Sequence, residues 1–314
     1  MTHFLARRLF AFIPTLFAVA IIVFFMIYLI PGDPVSVMLG PEATGDAIAR
    51  AREDLGLNRP LPVQMAAWFV GVAHGNLGQS YFLSQSVNQA LVERIPVTFS
   101  LASLALIISL VVGIGIGIIA SLNQGRFYDW LVMLVALFGI SVPSFWLALN
   151  LIILFSVQNQ WFPVGGFVSI TEDVGAFLSH LALPALSLGL INAALIARMT
   201  RSSMLEVLRA DYVRTARAKG LRERLVVYRH VFKNALIPIV TVIGIVAGSL
   251  LGGSVITETV FNLPGVGRMV VEAVKHRDYP VVQGGILFVT CTYLVINLLV
   301  DLLYAWINPR IRYD

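Results

Sequence analysis

The chain has 314 residues, of which 58% are hydrophobic and only 12% charged, whereas a water-soluble domain carries about 25% charged residues. Its net charge of +5 could suggest a nucleic-acid binder, but the basic residues cluster beside apolar runs of membrane-spanning length, which argues against that class. The single cysteine, Cys291, lies inside an apolar run and can form no internal disulfide.

A membrane helix needs about 20 mainly apolar residues. Six runs meet that need: Leu9–Ile30, Val97–Leu122, Leu131–Val157, Leu181–Met204, Ala235–Ile256 and Val282–Ile307. The composition therefore predicts an all-α membrane protein with six transmembrane helices. The first run is too long for the core of a signal peptide and lacks a small-residue cleavage site, so it is read as a retained span. It ends in the turn signal Pro31-Gly32-Asp33-Pro34. The chain divides into a terminus and first span (1–30), an external segment (31–96), a transmembrane domain (94–307) and a short tail (308–314). Within the external segment Ile48–Leu55 and Val63–Val70 read as helical, and Leu83–Arg94 as an amphipathic lead into the second span. The second external stretch, Glu258–Pro280, is rich in turn formers around Asn262-Leu263-Pro264-Gly265.

Orientation is read from lysine and arginine. Arg7 and Arg8, Arg126, a long basic loop, and Arg310 with Arg312 all fall on one set of connections. The basic loop dominates: ten of the chain's 22 basic residues lie between Arg198 and Lys233. This puts both termini and that loop in the cytoplasm of a cell (inner) membrane protein.

The basic loop, 205–234, is divided by Gly220. Before it stand good helix formers with Lys219 in the last turn, a helix-stop pattern. After it, Leu221, Leu225, Tyr228, Phe232 and Ala235 recur at helical spacing, which predicts a second helix lying at the membrane surface. Small Ala216 and Ala218 near the turn would allow close approach by another protein. Topology alone also makes such loops basic, and composition does not choose between the two.

The wording of this loop carries more. Asp211-Tyr212-Val213-Arg214-Thr215-Ala216-Arg217-Ala218-Lys219-Gly220-Leu221, with His230 and Lys233-Asn234-Ala235-Leu236-Ile237-Pro238 after it, resembles the EAA loop of ABC importer permeases. It is similar in particular to the B-type permease of dipeptide and oligopeptide importers, including the glutathione-importing branch. Ordered matches run along nearly the whole chain: Ala6-Arg7-Arg8-Leu9, Pro31-Gly32-Asp33-Pro34-Val35, Leu55-Gly56-Leu57-Asn58-Arg59-Pro60-Leu61, Phe261-Asn262-Leu263-Pro264-Gly265-Val266-Gly267-Arg268, Arg277-Asp278-Tyr279-Pro280 and Asn308-Pro309-Arg310-Ile311-Arg312. Arg214-Thr215-Ala216 occupies the Glu-Ala-Ala slot, so the acidic residue of the general pattern has no counterpart. The resemblance implies a type I importer permease fold and an ATPase-coupling role for Asp211, Thr215, Ala216, Arg217, Ala218, Lys219, Gly220 and Leu221. It also implies a second, C-type permease, two ABC ATPase subunits that hold ATP and magnesium, and an external substrate-binding protein delivering small peptides to 31–96 and 258–280. Nickel and other small solutes use similar permeases.

The chemistry of the chain itself is sparse. It contains no G-x-x-x-x-G-K-[ST] phosphate loop, no nucleophile elbow, and five histidines without metal-ligand spacing. The expectation is a non-enzyme with no cofactor or metal of its own. The centres of the runs lack Asp, Glu, Lys and Arg, which argues against a proton-coupled transporter working alone. Neutral polar residues remain as candidates for a substrate pathway: Ser141, Ser144, Asn150, Asn192, Ser249 and Asn297. Hydrogen bonding between helices is the competing role for each, and close packing is the role expected of Gly113, Gly117, Gly248, Gly252 and Gly253.

Overall fold

A computed structural model describes residues 2–28, 32–40 and 42–307. Pro31 of the first turn signal, and the tail 308–314 with Arg310 and Arg312, lie outside the described residues. Every regular element among the described residues is helical, as lipid demands of a chain that must satisfy its own backbone. The elements are α1 (Thr2–Tyr28), α2 (Pro34–Leu39), α3 (Gly45–Asp54), α4 (Leu61–Ala73), α5 (Val87–Leu122), α6 (Phe127–Ser141), α7 (Ser144–Leu151), α8 (Val174–Leu208), α9 (Asp211–Ala218), α10 (Glu223–Leu225), α11 (Lys233–Val260), α12 (Val266–His276) and α13 (Tyr279–Ile307).

The predicted apolar runs fall on these helices. Val87–Leu122, Val174–Leu208, the continuous Glu223–Val260 and Tyr279–Leu303 are each long and apolar enough to cross a membrane. In α1 the described apolar stretch is Phe10–Met26. The run Leu131–Val157 is not one straight rod. It is bent by 101° between Phe127–Gly139 and Ser144–Gln158, at Val142-Pro143, where proline disfavours the helical conformation of the residue before it. Beyond α7, Ile152–Gln158 winds as a π-helix. The lead into the second span is the first turns of α5 rather than a separate helix. The second external stretch, expected as turns, contains the helix α12, whose Val266, Met269 and Ala273 are buried. Its apolar residues recur at helical spacing behind the Pro264-Gly265 turn, and the turn signal masks them in the sequence.

Two compact units emerge, each assembled from separated stretches: Met1–Thr98 with Pro264–Leu294, and Phe99–Leu263 with Val295–Asp314. In the first, α12 and the start of α13 bury Val266, Met269, Tyr279 and Val282 against Val87, Ala90 and Leu91 of α5. Asp278 is 1% exposed and accepts hydrogen bonds from Ser80 Oγ and from the backbone N–H groups of Tyr81 and Phe82, both at 3.2 Å. It thereby clips the two predicted external regions, 31–96 and 258–280, together. Asp33 caps α2, accepting from Ser36 N at 3.0 Å and Arg52 Nε at 3.1 Å. Burial alone would raise its pKa, but the bonds from Ser36 and Arg52 outweigh it and hold the carboxyl below its ordinary range.

In the second unit α8 lies against α5, α6, α7 and α11. A Cβ added at Gly113 would stand 2.8 Å from Ala193 O, and one at Gly117 would stand 2.7 Å from Ala197 O. The absence of side chains at this four-residue spacing lets α5 and α8 touch backbone to backbone, the usual substitute for hydrophobic driving force between helices in lipid.

Candidate coupling loop and polar residues of the spans

The loop 205–234 is built as a short helix held on a private core. Val213 and Ala216 of α9 are buried with Met204, Val226, Val227, Val231, Ala235 and Ile239. These apolar residues take one face of α9, and the face opposite is left polar. Asp211, Arg214, Thr215, Arg217, Ala218, Lys219, Gly220 and Leu221 are exposed. Of the predicted coupling residues, only Ala216 points inward, with 7% of its surface exposed. It is a packing residue of the loop itself rather than a point of approach for another protein.

Gly220 ends the helix as its sequence position predicts. Its φ is +76°, a region that side-chain-bearing residues rarely adopt. Its N–H donates to Arg217 O at 2.9 Å, and the N–H of Leu221 reaches Ala216 O at 3.4 Å. These bonds close the carbonyls that a helix end leaves open. Across the turn, Arg217 pairs with Glu223 through two bonds, Nη2 to Oε1 at 2.7 Å and Nε to Oε2 at 3.2 Å. The end of α9 is thus pinned to α10 by a bidentate pair. The hydrogen bonds from Arg217 to Glu223 also raise the pKa of the guanidinium despite partial burial.

Beyond Gly220 the chain differs from the surface helix expected. Of the predicted face Phe232 and Ala235 pack into the core, but Leu221, Leu225 and Tyr228 are exposed, while Val226, Val227 and Val231 are buried. The reason is the winding. Val226–Phe232 is π-helical, and its wider turns shift the buried face away from the one that a 3.6-residue period assigns. This helix does not stop at the surface either; it continues into α11.

The six pathway candidates do not converge on one place. Asn192 of α8 and Ser249 of α11 do meet, with Ser249 Oγ donating to Asn192 Oδ1 at 3.4 Å. Asn192 Nδ2 also donates to Leu188 O at 2.8 Å. Ser141 and Asn150 bond back to their own helices, at Leu137 O (2.9 Å) and Trp146 O (2.7 Å). Ser144 and Asn297 are half-buried. None of the six lines the apolar groove of about 460 Å³ bounded by residues of α5, α6, α7 and α8, including Val112, Ile116, Val135, Phe138 and Trp146.

One ionic feature has no counterpart in the sequence reading. Asp129, in the first turn of α6 and 5% exposed, accepts two bonds from Arg201 of α8: one from Nε, and one from Nη2 at 2.8 Å. The backbone N–H of Gly125 adds a third at 2.9 Å. The partners are far apart in the chain, and Arg201 reads as one more basic residue of the loop, so no local pattern marks the pair. Among the described residues, no group of three or more His, Cys, Asp or Glu could hold a metal ion.

Two family models cover the chain. Residues 1–102 match the N-terminal membrane component of binding-protein-dependent transport systems, and residues 113–313 match the binding-protein-dependent transport system inner membrane component. The chain belongs to this family. Relatives align end to end. A putative peptide transport system permease protein of Brucella abortus (strain 2308) is 46% identical over 314 residues, covering all of both chains. The di/tripeptide transport system permease protein DppB of Pseudomonas aeruginosa is 45% identical, and the glutathione transport system permease protein GsiC of Pectobacterium atrosepticum is 43% identical, each again over the full length of both. Among solved structures, a chain of the MetNI methionine ABC transporter in an inward-facing conformation superposes with a TM-score of 0.59 at 18% identity, covering 70% of this chain and 97% of that one. That likeness establishes the fold, an ABC importer permease fold. With its apolar helices, the chain is a multi-pass membrane protein.

Proposed function

We propose that this permease forms half of the pathway of an ATP-driven importer of small peptides, of the dipeptide, oligopeptide or glutathione type. End-to-end identity with permeases named for peptide, di/tripeptide and glutathione transport carries this reading. A second permease of similar fold supplies the other half, two ABC ATPases sit at the 205–234 loops, and an external binding protein delivers the peptide. The chain lies in the inner membrane with both termini in the cytoplasm. It has no phosphate loop, so the ATPases perform the hydrolysis and this chain converts their closure into movement of its spans.

The loop's construction supports that role. The polar face of α9 is turned outward, its apolar face is seated on Val226, Val231 and Ala235, and Arg217 is tied to Glu223. A push on Asp211, Thr215 or Ala218 therefore loads α10 and, through it, α11. Asn192 and Ser249, neutral and paired between α8 and α11, are the polar contacts on these helices best placed to meet a peptide backbone.

The test is uptake by proteoliposomes carrying this chain with its second permease and both ATPases, supplied outside with binding protein and inside with ATP. Radiolabelled di- and tripeptides or glutathione should accumulate, and nickel should not. Peptide exclusion, with nickel or another solute accumulating instead, would assign the permease a different cargo.

A further inference from the structure

The structure assigns part of the external segment to the membrane: we propose that α4 is a re-entrant helix whose exposed face contacts lipid acyl chains. The helix Leu61–Ala73 has 13 residues and contains no Asp, Glu, Lys or Arg. None of its residues is buried in this chain, and Leu61, Val63 and Val70 are 41%, 47% and 59% exposed. Such a helix in water would display an apolar surface on nearly every side, which soluble surfaces avoid.

Its neighbours set its depth. The ring of Phe69 lies 5.3 Å from that of Phe17, and the ring of Trp68 lies 5.9 Å from that of Phe24. Both partners belong to α1, and Phe17 is near the middle of the apolar stretch Phe10–Met26. At 1.5 Å per residue it is about 14 Å from Met26, close to the half-thickness of about 15 Å of a hydrocarbon layer. A helix resting on the middle of a spanning helix is at the depth of the lipid tails, not in the water outside. Being 13 residues long, α4 is about 20 Å from end to end, too short to cross, so it returns to the side it entered from.

Most polar groups of α4 are paired within the chain, although the Trp68 indole N–H is enclosed without an acceptor. Gln64, its one polar side chain apart from the Trp68 indole, donates Nε2 to Leu57 O at 3.1 Å and Arg59 O at 2.8 Å. At the far end the N–H groups of His74 and Asn76 take up Gly71 O, and His74 Nδ1 lies 2.8 Å from Val70 O. The helix opens at Pro60-Leu61-Pro62, where two prolines carry no N–H donor, and the N–H groups of Val63 and Gln64 donate to Pro60 O at 2.9 and 3.1 Å. Most of the backbone groups at its two ends are thereby paired within the chain, which favours irregular ends at membrane depth. Charge resumes only outside it, at Arg59, and the next polar side chain is His74. The inference rests on α1 spanning the membrane and not on the cargo, so its failure would leave the transport reading untouched.

The experiment uses the complete importer in lipid nanodiscs with Cys291→Ser, and spin labels on Val63→Cys or Val70→Cys. Ile107→Cys, 54% exposed on the span-forming α5, is the lipid reference, and Arg50→Cys, exposed on α3, is the water reference. Oxygen should relax the labels at 63 and 70 as it does at 107, with an oxygen-to-nickel-chelate accessibility ratio several-fold above that at 50. A ratio equal to that at 50 would place α4 in water, and low accessibility to both reagents would place it against another protein chain; either overturns the proposal. Wild-type complex irradiated in lipid with diazirine-bearing acyl chains gives a second reading without any substitution near α4. Adducts on the peptide containing residues 61–73 are expected, and their absence beside labelled α5 is the opposing result.

Discussion

At the scale of single residues, Ala216 and Ala218 show how two neighbouring alanines acquire opposite meanings. Both look like small residues placed for close approach by a partner. Ala216 is 7% exposed and packed with Val213, Val226 and Val231, whereas Ala218 is exposed. Ala216→Asp would place a carboxylate in an apolar cluster, a change that costs several kcal/mol unless the loop opens to hydrate it. The purified chain should lose thermal stability whether or not ATPase is present. Ala218→Asp should leave stability within about 0.5 kcal/mol of wild type, as surface substitutions do, and should instead lower co-purification of the ATPases. Equal melting temperatures for the two variants would show that Ala216 is not packed as described.

At the scale of elements, the stop at Gly220 is legible because a helix C-terminus leaves a local signature: formers, a basic last turn, then glycine. A Cβ there would meet nothing within 4 Å, so any cost of substitution comes from φ alone. Gly220→Asn should therefore retain peptide-stimulated ATP hydrolysis and uptake. Gly220→Val should strain the turn by at least the roughly 1–2 kcal/mol of an ordinary side chain in the left-handed region and reduce uptake per ATP hydrolysed. Uptake by the valine variant equal to that of the asparagine variant would remove the turn angle from the coupling mechanism. The buried face of the helix after Gly220 is hidden for an equally physical reason. Leu221, Leu225, Tyr228, Phe232 and Ala235 obey an α-helical period, but the backbone over Val226–Phe232 does not: Phe232 and Ala235 pack inside beside Val226, Val227 and Val231, and Leu221, Leu225 and Tyr228 are left exposed. Periodicity presupposes the pitch it is used to detect.

At the scale of the whole molecule, composition is enough for the class and the apolar runs for most of the helices, because lipid leaves a chain few alternatives. Long-range pairings are not legible. Asp129 and Arg201 lie 72 positions apart, and nothing near either one marks a partner. The clip between Ser80 and Asp278 spans 198 positions and is equally silent. Asp129→Asn should leave the Arg201 guanidinium partly buried and short of its counter-charge, destabilising the helix pair by about 3 kcal/mol. A charge-swapped chain, Asp129→Arg with Arg201→Asp, should regain part of the lost thermal stability, since each charge again faces its opposite. If Asp129→Asn melts with the wild type, the pair is not holding α6 to α8.

The π-helical turns at Val226–Phe232 have a mechanical consequence. They lie in the one stretch that joins the Arg217–Glu223 tie to α11. Such turns carry surplus chain relative to an α-helix of the same length. If one surplus residue passes along the helix, the part on one side rotates by about 100° against the other, since 3.6 residues make a turn, and every backbone group can be paired again at the end. A bare α-helix could transmit only push and tilt to α11. Under the proposed coupling role, this one would also act as a swivel, turning the span that carries Ser249.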